Sequence, residues 1–366
     1  MTASILLYVT LFAVCLLLAR TAQKKNKTEY VWLIILALTL VVGLRAYSVG
    51  IDTANYVRMF QLVAREKSNR VYGAERSFLL LVKALQIFHK SPSFILLAFS
   101  FITNTFVLFR AWEFRDRISF PTALLYFFGN QFFLTFNIVR QMVAVALIFW
   151  GTRYVEKSQY KKFLLVTVIA ALFHQSALLG LVYLVVDILV WEKKRKALWH
   201  FVLHAAVKHK KMIKPAIVMV LLALVLIGVK ASKYIHYFTN ISFDIGLLVP
   251  LKLVVLTVFV LHVRMRSGKW GGVSEDLDEA YVNRDVVVCY GLGLCIAFAG
   301  SFFAYMNRIG LYFTPYGCLF WGYIEKSDGK KWLKYAAVAV IILWPLWRDI
   351  VSGGQGQLPY MFIWQN

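Results

Sequence analysis

Apolar stretches that recur from one end of the chain to the other restrict its fold most strongly. Most are roughly 17 to 20 residues long, about the length of a helix that crosses the hydrocarbon core of a bilayer. They span residues 3–19, 29–45, 92–110, 119–135, 137–154, 162–191, 213–230, 246–263, 285–303, 308–324 and 332–347. We therefore predict an all-α, polytopic integral membrane protein in which residues 1–366 form a single transmembrane domain.

The composition agrees with this fold class. The hydrophobic set makes up 60% of the 366 residues and charged residues only 16%, whereas a soluble domain carries about 25%. The net charge of +23 does not require a nucleic acid, because helical membrane proteins concentrate lysine and arginine in cytoplasmic loops, which also attract anionic lipids. We predict membrane lipids, and no nucleic acid, as partners.

The apolar stretch 162–191 decides the predicted topology, because it is too long for one span and His174-Gln175-Ser176 interrupts it. If it crosses twice, six basic segments with 27 of the 41 lysines and arginines all face the cytoplasm, as the positive-inside rule favours. These segments are 20–28, 110–118, 153–162, 192–214, 264–284 and 325–334. The result is about 11–12 transmembrane helices with both termini outside.

This topology brings polar side chains from distant parts of the chain to one outer level. They are Arg45, Asp52, Glu75, Arg140, His174 and Arg308. Ionisable groups near membrane depth are costly and mark a functional site by default. We also expect an outer loop with an amphipathic helix at 46–90, and a basic amphipathic segment at 192–212 on the cytoplasmic surface.

Three arginines at this level suit an anionic ligand. Arg140 lies near the start of run 137–154 and Arg308 starts run 308–324, and a helix N-terminus attracts anions. Arg45 ends run 29–45. Planar guanidinium groups bind phosphate through paired donors, so several of them suit a pyrophosphate better than a single carboxylate. The alternative for each arginine is an interfacial anchor.

Three further residues could accept or donate a proton. Asp52 lies in a Gly50-Ile51-Asp52-Thr53 turn, His174 interrupts an apolar stretch, and Glu75 precedes an amphipathic segment. The alternatives are a capped helix end for Asp52, a satisfied core residue for His174 and a helix-start carboxylate for Glu75. The sequence has no GxGxxG, P-loop or HExxH pattern, so it does not indicate a nucleotide-driven cytoplasmic enzyme.

The ordered set of motifs resembles the EpsG family of Wzy-like exopolysaccharide polymerases. The matching pieces are Arg45 with Ser48-Val49-Gly50-Ile51-Asp52-Thr53 and Tyr56, Glu75 with Phe78, Asn137 with Arg140 and Gln141, Phe173-His174-Gln175-Ser176-Ala177, Arg308 with Tyr312, and Pro359-Tyr360. They follow the family order over essentially the whole chain. One departure is Ile51, where the family more often has threonine, and it affects neither Arg45 nor Asp52.

The resemblance implies a membrane glycosyltransferase with a GT-C-type, Wzy-like fold in the bacterial cytoplasmic (inner) membrane, its active site on the extracytoplasmic side. Such an enzyme polymerises oligosaccharide repeat units carried on undecaprenyl pyrophosphate into an exopolysaccharide or capsule. Both donor and acceptor are lipid-linked oligosaccharides, and lipid pyrophosphate leaves. A chain-length regulator of the same export system is a further implied partner.

For this activity the order of candidate bases is Asp52, then His174, then Glu75. Convergent arginines would stabilise the charge on the leaving pyrophosphate and make a metal unnecessary, so we expect neither a metal nor a cofactor. The predicted pyrophosphate- and substrate-binding residues are Arg45, Arg140, Arg308, Gln141, Thr53, Tyr56 and Tyr312.

Other classes of protein explain the same residues less completely. A transporter or flippase for lipid-linked saccharides would line a passage with the arginines, but the chain shows no internal repeat and its polar groups cluster at one face. An O-antigen-ligase-like transferase would share the site and use a different acceptor. A membrane acyltransferase would use His174 as a base and leave the arginines unexplained.

Overall fold

The computed structural model describes residues 1–71, 73–190, 248–267, 277–302, 306–327 and 331–365. Within these ranges the secondary structure is helical, apart from one isolated β-bridge between Arg45 and Phe362. The chain divides into two compact units. The first unit comprises Met1–Gly180 with Tyr312–Asn366, and the second comprises Leu181–Leu311. The single transmembrane domain over 1–366 stays a prediction.

Fifteen α-helices are found in the described ranges. They are α1 (Thr2–Lys25), α2 (Glu29–Gly43), α3 (Thr53–Ala64), α4 (Arg76–Leu85), α5 (Pro92–Trp112), α6 (Phe120–Asn130), α7 (Val139–Glu156), α8 (Tyr160–Phe173), α9 (Val182–Val190), α10 (Leu248–Ser267), α11 (Leu277–Ala299), α12 (Met306–Gly310), α13 (Tyr316–Lys326), α14 (Lys331–Val338) and α15 (Trp344–Ser352). The second unit contains α9 to α12.

Several helices have the length and apolarity of membrane spans. In the described part of the chain, three qualify fully: Thr2–Lys25, Pro92–Trp112 and Lys334–Ser352. The last is continuous because a π-helical turn at Ala339–Leu343 joins α14 to α15. Shorter apolar helices cover Glu29–Gly43, Gln175–Asp187, Leu248–Val258 and Asp285–Ala299. The protein is therefore a helical membrane protein, and the number of 11–12 spans stays a prediction. The run at 213–230 and the basic segment at 192–212 lie outside the described residues.

Four of the predicted cytoplasmic segments meet at one end of the first unit. The Gln23 side chain donates to the Ile118 carbonyl at 2.7 Å, and Lys326 donates to the Asp116 carbonyl at 3.0 Å. Arg153 pairs with Glu113 at 2.7 Å. The segments joined in this way are 20–28, 110–118, 153–162 and 325–334. Their common location agrees with the charge distribution that the topology requires.

The stretch 162–191 is interrupted at the predicted place. Helix α8 ends at Phe173, His174 has an extended backbone (φ −156°, ψ 118°), and a 3₁₀-helix follows over Gln175–Leu181. The backbone N–H of Gln175 lies 3.4 Å from a Glu75 carboxylate oxygen, which caps the new helix. The 14 residues of α8 rise about 21 Å away from the basic end, so His174 lies near the opposite end.

The predicted helix at 308–324 is wrong as a single element. Helix α12 ends at Gly310, and α13 begins only at Tyr316, directly after Pro315. A proline inside a helix removes a backbone donor and clashes with the preceding turn, which explains the break. Arg308 therefore lies within a five-residue helix and not at the start of a long one.

The double crossing predicts which face of the membrane each exposed residue occupies. A cysteine at Gln175 should react with a membrane-impermeant maleimide in intact cells, because Gln175 is exposed and the double crossing would put it on the outer side. A cysteine at the exposed Lys157 serves as the matched control and should react only after permeabilisation. The reverse pattern at Gln175 would contradict the double crossing.

Candidate active site

Glu75 joins three segments that are far apart in sequence. It precedes α4 as an extended N-cap residue, and its side chain is 15% exposed. One carboxylate oxygen lies 3.0 Å from Nδ1 of His174, at the end of α8. The other oxygen forms an ion pair with Arg140, the second residue of α7. The sequence predicted these three residues at one level, and the structure places them in direct contact.

Arg140 is held from several directions. Its second terminal nitrogen donates to the Gly73 carbonyl at 3.0 Å, and its guanidinium carbon lies 5.2 Å from the centre of the Phe78 ring. The Tyr56 hydroxyl of α3 is within hydrogen-bonding reach of the same guanidinium. Arginine can donate several hydrogen bonds in one plane and stack on an aromatic ring at the same time. Lysine cannot reproduce both contacts.

The contact with Glu75 selects one tautomer of His174. An ionised carboxylate can only accept hydrogen bonds, so Nδ1 of His174 carries the proton that faces Glu75. In the neutral ring, Nε2 then keeps its lone pair. The His174 side chain is 27% exposed, so the ring is not sealed in the core. A histidine that is oriented by a carboxylate in this way can act as a general base.

The environment of Glu75 keeps its carboxylate ionised. Burial alone would raise the pKa of Glu75, but the hydrogen bond from His174 and the positive charge of Arg140 outweigh it and lower the pKa from 4.5 to about 2. Such a carboxylate is a weak proton acceptor near neutral pH. Glu75 is therefore better suited to hold His174 and Arg140 than to act as the base.

The same pKa shift predicts how stability depends on pH. Because the pKa of Glu75 is lower in the folded protein, its stabilising contribution is complete above about pH 4.5 and is lost as the pH falls toward 2. We expect Glu75→Gln to lower the melting temperature of the detergent-solubilised protein at pH 7, and this difference to shrink between about pH 5 and pH 3. A difference that stays constant across that range would contradict the ionised Glu75.

Arg45 lies in a different environment. It is fully buried, and its Nε donates to the Val49 carbonyl at 3.2 Å and to the Thr53 hydroxyl at 3.1 Å. Its Nη2 donates to the Phe136 carbonyl at 2.9 Å. A buried charge needs such partners, and here they come from the turn that precedes α3, from the first residue of α3 and from Phe136, which precedes α7. This enclosure favours a structural role for Arg45 over the predicted contact with a pyrophosphate.

Asp52 is the N-cap residue of α3 and is half-buried. Its backbone N–H donates to Oδ1 of Asn137 at 3.3 Å. Its carboxylate interacts electrostatically with Tyr56, one helical turn further along, and Tyr56 in turn contacts Arg140. No hydrogen-bond or ion-pair partner for the carboxylate itself is found among the described residues. Asp52 thus belongs to the edge of the Glu75–Arg140–His174 cluster.

The other predicted site residues fall into three groups. Thr53 and Gln141 are buried within helices, at 0% and 4% exposure. Tyr312 is buried beside the cluster, where its hydroxyl lies 2.8 Å from the Ser176 hydroxyl. Arg308 is exposed in the second unit, and its convergence with Arg140 stays a prediction. The role of the Gly73 carbonyl could not be predicted from the sequence, because every residue has a backbone carbonyl whatever its type.

An ion-pair network at the basic end was also not anticipated. Arg110 of α5 is 1% exposed, lies 2.7 Å from Glu113 and pairs with Glu156 of α7. The ion pairs of this network join arginine and glutamate side chains and include no histidine. We interpret this network as structural, because it holds α5 against α7. The cluster around Glu75 differs in that it includes a histidine, His174.

The fold and the cluster together define a helical membrane protein whose first unit carries an ion-paired, histidine-containing site at the end opposite the basic segments 20–28, 110–118 and 153–162. The model of the EpsG family matches residues 29–362, which is nearly the whole chain, and the chain belongs to this family. The resemblance inferred from the ordered motifs is thus confirmed. No curated protein and no solved structure matches the chain.

Proposed function

We propose that this protein is a glycosyltransferase that polymerises undecaprenyl-pyrophosphate-linked oligosaccharide repeat units on the outer face of the bacterial cytoplasmic membrane. Membership of the EpsG family supports the activity of a polysaccharide polymerase. A GT-C-like architecture is a further part of the proposal. The observation that carries the proposal is the contact of Glu75 with both Arg140 and His174. Through this contact Glu75 holds His174, the candidate base, close to Arg140, a cation that can face a leaving diphosphate.

The proposed reaction is a substitution at the anomeric carbon of the donor. A hydroxyl oxygen of the acceptor repeat unit forms the new glycosidic bond, and the bond between the anomeric carbon and the diphosphate oxygen breaks. The electron pair of that bond leaves with the lipid diphosphate. The hydroxyl proton passes to a base on the protein. Because the leaving group is the lipid diphosphate of the donor, the transfer itself consumes no nucleotide.

His174 is the base that the geometry favours. Nε2 accepts the hydroxyl proton, and the resulting imidazolium is stabilised by Glu75 at 3.0 Å from Nδ1. Asp52, the first candidate from the sequence, lies at the edge of the cluster, where its half-buried carboxylate can accept a hydrogen bond from a sugar hydroxyl. Glu75 itself remains ionised throughout.

The charge of the cluster changes in step with the reaction. With His174 neutral, the charges of Glu75 and Arg140 cancel. Once His174 holds the proton, the cluster carries one net positive charge, just as negative charge develops on the departing diphosphate. A preorganised cation at that place lowers the energy of the transition state. Arg308, which is exposed, is proposed to supply a second guanidinium group.

A purified preparation given only a lipid-linked repeat unit tests this function. We expect a ladder of products that differ by whole repeat units, with release of undecaprenyl pyrophosphate. Transfer of a single unit to another acceptor would instead indicate a ligase-like transferase. Absence of any transfer, with movement of the substrate across reconstituted vesicles, would indicate a transporter. Either of these two results would contradict the proposal.

A further inference from the structure

The C-terminal segment 353–365 is built into the outer end of the first unit. The Asn137 side chain connects it to the turn at Asp52. Its Nδ2 donates to the backbone carbonyl of Gln355 at 2.9 Å and to the Gln355 side-chain oxygen at 2.8 Å. Its Oδ1 accepts from the Asp52 backbone N–H at 3.3 Å. One amide thus links the tail, the Asp52 turn and the start of α7.

The backbones of the tail and the turn also touch directly. The N–H of Gly50 donates to the Gly356 carbonyl at 2.7 Å. Gly356 has φ +70°, and a Cβ there would lie 2.9 Å from the backbone nitrogen of Ile51. Only glycine allows this approach. The tail therefore determines where the turn before α3 can lie.

The tail is itself anchored on two other helices. The Tyr360 hydroxyl donates to the Val41 carbonyl at 2.8 Å, and the Tyr8 hydroxyl donates to the Gln357 carbonyl at 3.1 Å. The Ala46 N–H donates to the Met361 carbonyl at 2.8 Å. These contacts fix the tail against the ends of α1 and α2. Asn137 is bonded to the tail at Gln355 and to the backbone of Asp52, so it holds the exposed side of the Asp52 turn in place.

We propose that Asn137 and Gln355 are positioning residues, which hold the Asp52 turn and the start of α3 in the geometry needed for glycosyl transfer. The proposal rests on the function proposed above. Asp52 begins α3, and Tyr56 on the next turn contacts Arg140. A shift of the Asp52 turn therefore displaces a substrate-facing carboxylate and a partner of Arg140 together.

Two variants of similar size separate the hydrogen bond from the bulk of Gln355. Gln355→Met removes the side-chain acceptor, whereas Gln355→Glu keeps an oxygen that accepts from Asn137. We expect Gln355→Met to lower kcat for ladder formation ~10-fold with KM for the lipid-linked substrate changed less than ~3-fold, because the loss concerns geometry in the transition state. Gln355→Glu should stay within ~3-fold of the parent. Ser352→Ala, which removes a hydrogen bond on the exposed side of the tail, is the matched control and should also match the parent.

A second readout does not depend on activity. A spin label on a cysteine at Ile51, which is 65% exposed, should become more mobile in Gln355→Met and in Asn137→Ala but not in Ser352→Ala. The exposed Cys295 is first replaced by alanine. Unchanged mobility and kcat in Gln355→Met, or equal losses in the Met and Glu variants, would overturn the positioning role. A parent protein that makes no ladder but shows the mobility change would refute the proposed function and leave the contact intact.

Discussion

Arg140→Ala should reduce polymer formation at least ~100-fold, while the protein still inserts into the membrane. The substitution removes the cation from a cluster in which it pairs with Glu75, donates to the Gly73 carbonyl and stacks on Phe78. It also leaves the Glu75 carboxylate without its main counter-charge. Both effects act on the developing negative charge of the leaving diphosphate. The measurement is the rate of ladder formation by purified protein, with the amount of inserted protein determined in parallel.

Two further variants sharpen the Arg140 test. Arg140→Lys keeps the charge but cannot donate to Glu75 and Gly73 in the same planar arrangement, so we expect it to remain at least ~10-fold below the parent. Arg65→Ala removes an exposed arginine at the far end of α3 and should leave the rate unchanged. Parental rates in a well-inserted Arg140→Ala protein would show that this cation does not take part in the reaction.

His174→Ala should lower the rate of transfer at least ~100-fold, because a positioned general base contributes roughly 10²–10⁴-fold. Exogenous imidazole should restore part of the rate of the variant, because it supplies the missing base. The assay is again ladder formation, measured with and without imidazole.

The matched control for His174 is His89→Ala. His89 is an exposed histidine whose ring nitrogen accepts from the Ser91 backbone N–H at 3.0 Å, away from the cluster. Its removal should not change the rate. A parental rate in a well-inserted His174→Ala protein would assign the proton to another group, and Asp52→Asn would then be the next variant to measure.

Three of the long helices of the first unit were predictable from the sequence, because each coincides with an apolar run. Runs 3–19, 29–45 and 92–110 correspond to α1, α2 and α5 within a few residues at most ends. The break at His174 was predictable as well, because three polar residues in an apolar stretch cannot be placed in hydrocarbon without partners. Both the spans and the break were predictable because the residues of a segment themselves determine whether it is stable in lipid.

Helix α3 was not predicted as a separate element, although its sequence has a helical pattern. Its buried residues Tyr56, Phe60 and Val63 recur at helical spacing. The surrounding segment is polar on average, so the sequence indicated only an outer loop that leads to an amphipathic helix at 75–90. The latter corresponds to α4 and its buried Phe78 and Val82. A short amphipathic helix on a membrane protein gives a weaker signal than a span.

The pairing of Glu75 with Arg140 could not be predicted from the sequence. The two residues are 65 positions apart, and their contact depends on how α4 packs on α8 and how α8 packs on α7. The sequence suggested separate roles, a base for Glu75 and a phosphate ligand for Arg140. Their contact changes both interpretations, because the hydrogen bond from His174 and the positive charge of Arg140 keep the Glu75 carboxylate ionised. Similarly, carbonyl groups that enclose Arg45 come from backbone whose position no residue type reveals.

An electron cryo-microscopy structure with a bound undecaprenyl-pyrophosphate-linked saccharide would show which residues hold the diphosphate. We expect the diphosphate to lie within hydrogen-bonding distance of Arg140 and the reducing-end sugar to face His174 and Asp52. Binding of the diphosphate at the opposite end, beside Arg110 and Arg153, or at the outer level but away from Arg140, would contradict this expectation.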